Sequence, residues 1–588
     1  MKVFTQYTAL LNAPDTHTIK TSDSLRISII SKYNLHNLSK SLMKKIIYVL
    51  LVFLSFFTFD LLSQPVIEEW VRRYPDTVNG WGGGNAITVD NKGYVYITGT
   101  IVISNLMKYG TIKYSENGQV MWTRIYEGTN SGGRQPYAIA VDGKGNVFVT
   151  GYGYQTGNYF DFLTIKYDSL GNEKWVRFHD GGAHDIDEAV AVRTDGAGNI
   201  YVSGYTSTGG NHFVYCTIKY NTEGDVLWVK YYGIPTPSSQ PFAIAVDDNS
   251  NIYVTGMNND KATTISYDSA GNIRWSVVFA YESYSYSIAV DKNYNTYICG
   301  TIGDSLINGN DYLTIKYSPS GEQLWVRKYT YCNQWGECDS YAHTIAVDKS
   351  GNVYVNGKSK EGSHQNSICT IKYSNNGDSI WVRRSEHVYI GTITAMVIDS
   401  LNNVYVTAAA ADTTLYNNIT TYFTLSYNSS GSIIWTKRYN GNPLRGSISQ
   451  CLAVDVIGNV YVSGLGRSEV FPTYDMTTVR YSQPLFGIKK TSGMVPQNFK
   501  LYQNYPNPFN PITKIKFDIP SNVKQEKSNV KLIVFDVLGR EIEVLVNEEL
   551  KPDIYEIEWN AKNYPSGLYL YKLTVGNYTE TKKMVLIK

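Results

Sequence analysis

Cysteine is scarce in this chain, with 6 in 588 residues, so no disulfide framework holds it together and its core must hold by packing. An excess of either charge is missing as well: 53 Lys and Arg balance 51 Asp and Glu, and no dense basic run interrupts the central region. That balance excludes the basic stripe of a nucleic-acid-binding protein. The one long apolar run, residues 46–59, is shorter than the roughly twenty residues that cross a bilayer, so no transmembrane span is expected in the mature protein. Local catalytic signatures are lacking too. There is no GxSxG and no HExxH, and His179, His184, His212, His343, His364 and His387 are scattered through unrelated segments. These absences name no catalytic residue, no cofactor and no resident metal, although an active site assembled from distant segments would leave no such motif.

What is present is a repeat. Eight times a tryptophan segment, an AIAVD-like segment, a GNVYVTG-like segment and a TIKY-like segment follow one another. The tryptophans are Trp70, Trp122, Trp175, Trp228, Trp275, Trp325, Trp381 and Trp435, and the aspartates are Asp90, Asp142, Asp195, Asp247, Asp291, Asp348, Asp399 and Asp455. Four short segments rich in Val, Ile, Tyr and Thr within about fifty residues match one blade of a β-propeller. Segments such as 138–141 and 147–149 are apolar at every position, as a blade packed between two neighbours requires. The repeated Asp, Asn and Gly fall where tight hairpin turns belong, so they read as turn formers rather than catalytic groups.

The chain order predicts closure. The first unit opens with an orphan tryptophan segment at 66–74, and the last ends at Tyr481 with no tryptophan segment after it. Pairing Trp70 into the unit that ends at Tyr481 leaves nothing over. The expected fold class is therefore all-β, an eight-bladed β-propeller over 64–484 with its N-terminal strand closing the last blade. A linker over 485–498 and a small C-terminal Ig-like β-sandwich over 499–588 follow it.

The run FLTIKYDSLGNEKWVRFHDGG…AVAVRTDGAGNIYVSGYT, from Phe162 to Thr206, resembles the SBBP-type bacterial β-propeller repeat, and the likeness extends from Val66 to about Tyr481. Its KYDSLGNEKW stretch is also similar to the tryptophan-docking segment of eight-bladed quinoprotein propellers, which implies indoles packed between blades. The adjacent cysteine pair that those enzymes often place against their cofactor is missing. At the C-terminus LYQNYPNPFNP, VFDVLGREI, YPSGLYLYKL and KKMVLIK, in that order, resemble the type A sorting domain of the type IX secretion system of Bacteroidetes and related Gram-negative bacteria. A polar insert over 521–529 is the one departure. The resemblance implies a translocon partner at the outer membrane and a secreted or outer-cell-surface location. At the other end Met43, Lys44 and Lys45 precede the apolar run, and Ser63 offers a cleavage point, so 43–63 reads as a secretory signal peptide. Residues 1–42 match no part of that design and read as an N-terminal extension, non-native or disordered.

Two connections of each unit are long and dissimilar and would emerge on one face, where function on a rigid scaffold usually sits. Trp81 and Trp335 fall off the repeat grid there, and Tyr152, Tyr154 and Tyr159 crowd one loop. Such rings could stack on a sugar or simply pack their own loops. Cys332 and Cys338 are close enough in one loop for a disulfide. Asp185, Asp187 and Glu188 form the densest carboxylate group and the one calcium candidate, though without an EF-hand's further ligands. The expected function is binding of an extracellular carbohydrate polymer or protein by the variable face. The alternatives are a propeller enzyme of polysaccharide lyase or hydrolase type and a structural surface protein without a dedicated ligand. Convergent ionisable side chains at the channel mouth would point to chemistry, and an aromatic shelf to binding.

Overall fold

The computed structural model describes residues 66–588 apart from 75–80, 129–131, 156–158, 305–308, 333–338, 361–365, 386–388, 413–418, 442–445, 468–473, 483–488, 493–495, 521–527 and 562–563. The N-terminal extension, the signal peptide, Trp335, Cys338 and most of the polar insert lie outside those residues. Every described element is a β-strand.

The first sheet holds Trp81–Val89, Val95–Ile103, Leu106–Tyr114 and Val120–Tyr126, paired antiparallel in chain order. The AIAVD-like strand stands at one edge and the tryptophan strand at the other, and the pattern recurs along the chain. Ile273–Val290 is long enough to serve twice, ending one sheet with its first half and opening the next with its second. Counting that strand in both gives eight four-stranded sheets between residues 67 and 482. The last is Ser447–Val454, Val460–Arg467 and Tyr474–Ser482, completed by Ile67–Tyr74 from the start of the chain. The AIAVD-like strands touch one another in order, and Ser447–Val454 lies against Trp81–Val89. They are therefore the inner strands of the succession.

Each tryptophan sits at an outer edge and docks on the next sheet. The Trp122 indole covers Gly171 and donates from Nε1 to the Ser169 carbonyl at 3.3 Å, while Arg124 Nε donates to the Gly171 carbonyl. Gly171 has φ +82°, and a Cβ there would lie 2.8 Å from the indole, so glycine serves both the turn and the contact. The repeated aspartates hold the opposite hairpins. Asp142 accepts from the backbone N–H of Lys144 and Asn146 and from the Asn146 side chain at 2.7–2.9 Å. In most sheets a tyrosine hydroxyl joins them, as Tyr201 does on Asp195 at 2.9 Å.

The C-terminal segment forms two further four-stranded sheets. One contains Ile512–Ile519 and Asp553–Asn560, the other Ser528–Phe535 and Gly567–Val575. They share one core around Phe509, Phe517, Leu532, Trp559, Tyr571 and Met584.

Candidate functional site

Every inner strand carries a β-bulge at the same repeat position, five residues before the turn aspartate. The bulged residues are Asn85, Tyr137, Val190, Phe242, Tyr286, His343, Thr394 and Gln450. A bulge inserts one residue without a partner and re-aims its side chain. In the neighbouring strand the glycine of the GNVYVTG-like segment lets the inner strand press close beside the bulge. A Cβ on Gly300 would sit 1.7 Å from the Tyr284 carbonyl oxygen, and one on Gly204 would sit 2.0 Å from that of Glu188. Where the repeat has Ala408 instead, the facing strand Tyr389–Ile398 shifts register twice, at Gly391 as well as Thr394.

Most of these positions lie in the half of the strand nearer the long, dissimilar loops, and several reach across from sheet to sheet. Asn85 Nδ2 donates to the Pro136 carbonyl at 2.7 Å. The Tyr137 hydroxyl donates to Glu188 Oε2 at 3.3 Å, and Tyr205 also bonds that carboxylate. Phe242 and Tyr286 pack with ring centroids 5.4 Å apart, and Tyr286 stacks on His343 at 5.7 Å with 22° between planes. Tyr284 runs parallel to Tyr286 within 13°. Asn85 and Gln450 carry amides, and the buried Gln450 Oε1 makes no hydrogen bond among the described residues.

No bulged position holds Asp, Glu, Lys or Arg. Burial, reinforced by the Lys358 charge, lowers His343 to about 4, so its imidazole is neutral at pH 7. Lys358 itself lies over the Tyr341 ring at 4.6 Å. Burial raises the Glu188 carboxyl above its ordinary value, against the two tyrosine hydrogen bonds that favour its charged form.

The residues singled out by sequence fall in several places. Tyr152 joins the ring's outer layer, 5.7 Å from Tyr137 and 4.7 Å from Phe160, with its hydroxyl on Gln135 Oε1. Tyr154 packs edge-on against Phe160, and Tyr159 is exposed. Trp81 opens the first inner strand opposite Val102. The acidic trio does not converge. Asp185 accepts from Ser207 Oγ at 2.9 Å and Glu188 turns to the tyrosines, whereas Asp187 meets Asp161 and Asp180 with carboxylate oxygens within 4.8 Å. Burial raises the Asp187 carboxyl although Gly181 N–H, Ser207 N–H and the Thr206 hydroxyl all donate to it. Asp180 is held by Gly182 N–H and His184. Oxygen donors of this kind suit calcium, yet hydrogen bonds already engage Asp187 and Asp180. Cys332 is disulfide-bonded, and Cys216, Cys299, Cys369 and Cys451 are free and buried.

The bulged residues themselves were not anticipated. Their signal was available as the variable column immediately before each AIAVD-like strand, where Asn, Tyr, Val, Phe, Tyr, His, Thr and Gln alternate against an otherwise steady pattern.

Two family descriptions match the chain. Residues 503–588 match a secretion system C-terminal sorting domain, and residues 227–257 match a β-propeller repeat. No curated protein matches. Among solved structures, the β-propeller domain of the Trilobed protease from Pyrococcus furiosus, described as having an open velcro topology, is 12% identical; the match covers 59% of this chain and 94% of that one, at a TM-score of 0.36. A fungal alcohol oxidase of the AA5 family in complex with copper is 9% identical over 90% and 100%, at 0.40. A PL25 ulvan lyase is 9% identical over 69% and 95%, at 0.34. These likenesses are too remote to transfer an activity.

Proposed function

For a chain that joins β-propeller repeats to a type IX secretion system sorting domain, and is thus secreted or held at the cell surface, we propose that the working part is an eight-bladed propeller that binds an extracellular polymer or protein. Eight four-stranded sheets, inner strands that touch in sequence back to the first, and an N-terminal strand that completes the last sheet all support closure. The two C-terminal sheets with their common core support an Ig-like sandwich as the sorting domain.

The observation that carries the binding reading is the arc Phe242, Tyr286 and His343 on consecutive bulges. Aromatic faces held by neighbouring sheets lose little entropy on meeting a ligand, and they gain by stacking. The enzyme alternative would rest on Tyr137, Glu188 and Tyr205. There the carboxylate accepts from two hydroxyls, an arrangement that ties two sheets together and leaves it poorly placed to activate a nucleophile. The test is retention of the exported protein on its native cell surface and extracellular matrix. Phe242→Ala with Tyr286→Ala should lower retention at least tenfold, and unchanged retention in a folded double variant would refute the reading.

A further inference from the structure

We infer that the outer face of the Ser528–Phe535 sheet is the surface on which the secretion machinery reads this chain, and that the partner there is a protein with an apolar surface edged by carboxylates. The inference lies outside the propeller and rests on the match of residues 503–588 to a secretion system C-terminal sorting domain. The sheet runs in the order Glu541–Leu550, Ser528–Phe535, Gly567–Val575 and Tyr578–Leu586. Successive residues of a strand point to opposite faces, and here both faces are apolar. Val534, Tyr569, Tyr571 and Met584 enter the shared core. The alternate positions face away from it: Phe535 stands opposite Leu570, Ile533 opposite Val544, and Leu568 opposite Val585. The outward side of a sandwich is normally polar, and an apolar one marks a place for a partner. Leu568 and Val544 are each 40% exposed, and the hairpin after Phe535 carries Val537 and Leu538 at 62% and 74%. Asp536 accepts from the backbone N–H of Leu538 and Arg540 at 2.9 and 3.0 Å, which fixes the turn that presents those two side chains.

Two further observations choose the occupant. The opposite sheet sets Lys514 and Lys516 outward beside Glu556 and Glu558, with Lys514 Nζ 3.2 Å from Glu556 Oε1, the alternation of a solvated face. Its two edges are the strands by which the chain arrives from the propeller repeats, Lys489–Ser492 and Lys500–Leu501. The cargo thus joins one sheet, and the apolar face belongs to the other. The second observation is charge. Lys531, Lys572 and Lys583 are exposed on that same outward face, Lys572 opposite Ile533 and Lys583 opposite Leu570. An apolar centre with a basic border calls for an apolar surface edged with Asp or Glu, whose charges orient the encounter. A second copy of this chain would set the same lysines against each other across a two-fold axis, a like-charge arrangement that opposes pairing.

Export of the full chain from a bacterium that carries a type IX secretion system tests this. Leu568→Glu and Leu538→Glu should each lower the amount reaching the cell surface and medium tenfold or more, while the chain retained in the envelope melts as wild type does. Ile512→Glu, equally 40% exposed but on the outward side of the opposite sheet, should be exported as wild type. A photo-crosslinking amino acid in place of Leu568 should capture an outer-membrane protein, and one in place of Lys514 should not. Normal export of Leu568→Glu and Leu538→Glu would overturn the assignment, as would an equal loss with Ile512→Glu. Crosslinks from the Leu568 position only to lipopolysaccharide, only to a second copy or only to the propeller would overturn the protein partner. If a chain ending at residue 482 is exported as well as the full chain, the sorting role of 503–588 itself fails. If that truncation blocks export and the two glutamate variants do not, the sorting role stands and the face falls.

Discussion

Trp70 pairs in register with Arg480, so a residue from the start of the folded chain and one from its last repeat are neighbours on adjacent strands. The Trp70 indole also donates to the Glu116 carbonyl of the first sheet at 3.0 Å, and Arg480 bonds the same carbonyl. One edge strand thus links the final sheet to the first. Trp70→Ala removes that indole from a buried cluster with Tyr114, Tyr461 and Met476, a loss of about 3 kcal/mol or more by analogy with other buried aromatics. Chemical denaturation of the full chain should show the lowered midpoint, with residues 81–126 and 447–482 losing hydrogen-exchange protection together.

The seam leaves a second mark. Trp175 donates its indole N–H to the Thr222 carbonyl at 3.2 Å, as six other tryptophans do to equivalent turns, but the buried Trp435 N–H has no acceptor among the described residues. Trp435 packs against Tyr481, and the position equivalent to Thr222 lies outside the described residues. Trp435→Phe should therefore destabilise less than Trp175→Phe by about 1 kcal/mol, since only the latter breaks a hydrogen bond found among the described residues. Paired urea titrations measure the difference, and equal losses would show that Trp435 has a partner after all.

Much of this architecture is legible in the sequence. The tryptophan, aspartate and TIKY columns report turns and inter-sheet packing, which recur because each sheet meets the same neighbour. The ring was not read, because a bulge changes which way one side chain points without altering the alternation around it. Gly300 and its equivalents carried the clue, but a glycine in a strand reports close approach without saying what approaches. The metal candidate failed to converge for a similar reason. Asp185 and Glu188 flank Asp187 in sequence, whereas Asp161 and Asp180 reach it from a neighbouring strand and a loop.

Gly300→Ala tests the close approach of the two strands beside the bulge. A methyl group 1.7 Å from the Tyr284 carbonyl cannot be accommodated without moving the inner strand, at a cost of about 3 kcal/mol. The variant should unfold at lower denaturant and bind ligand more weakly than the same loss of stability produces elsewhere, because Tyr286 moves with the strand.

His343 gives the protein an acid-sensitive position. Its pKa is lowered from 6.5 to about 4 by burial and then by Lys358, and the groups against it are Tyr286 and Lys358. The unfolded chain therefore binds a proton that the folded chain refuses, so the contribution is complete above pH 6.5 and is lost as pH falls towards 4. The full shift corresponds to about 3 kcal/mol. His343→Gln should flatten the stability profile between pH 6.5 and 4, as thermal melts across that range would reveal.

Cys332 forms a disulfide while the four strand cysteines are free, and Cys338 is our proposed partner. Peptide mapping without reduction should recover the 332–338 cross-link. Cys332→Ser should lower stability by about 2 kcal/mol, the loop-closure entropy of so short a ring, and leave retention at the cell surface unchanged.

Hydrogen exchange on the full chain, with and without the extracellular polymer fraction that retains it, tests the central claim most directly. Binding at the ring predicts added protection confined to the loop-side halves of the inner strands, above all 240–243, 283–287 and 340–344. Protection restricted to the aspartate turns or the outer tryptophan strands, with those segments unchanged, would contradict it.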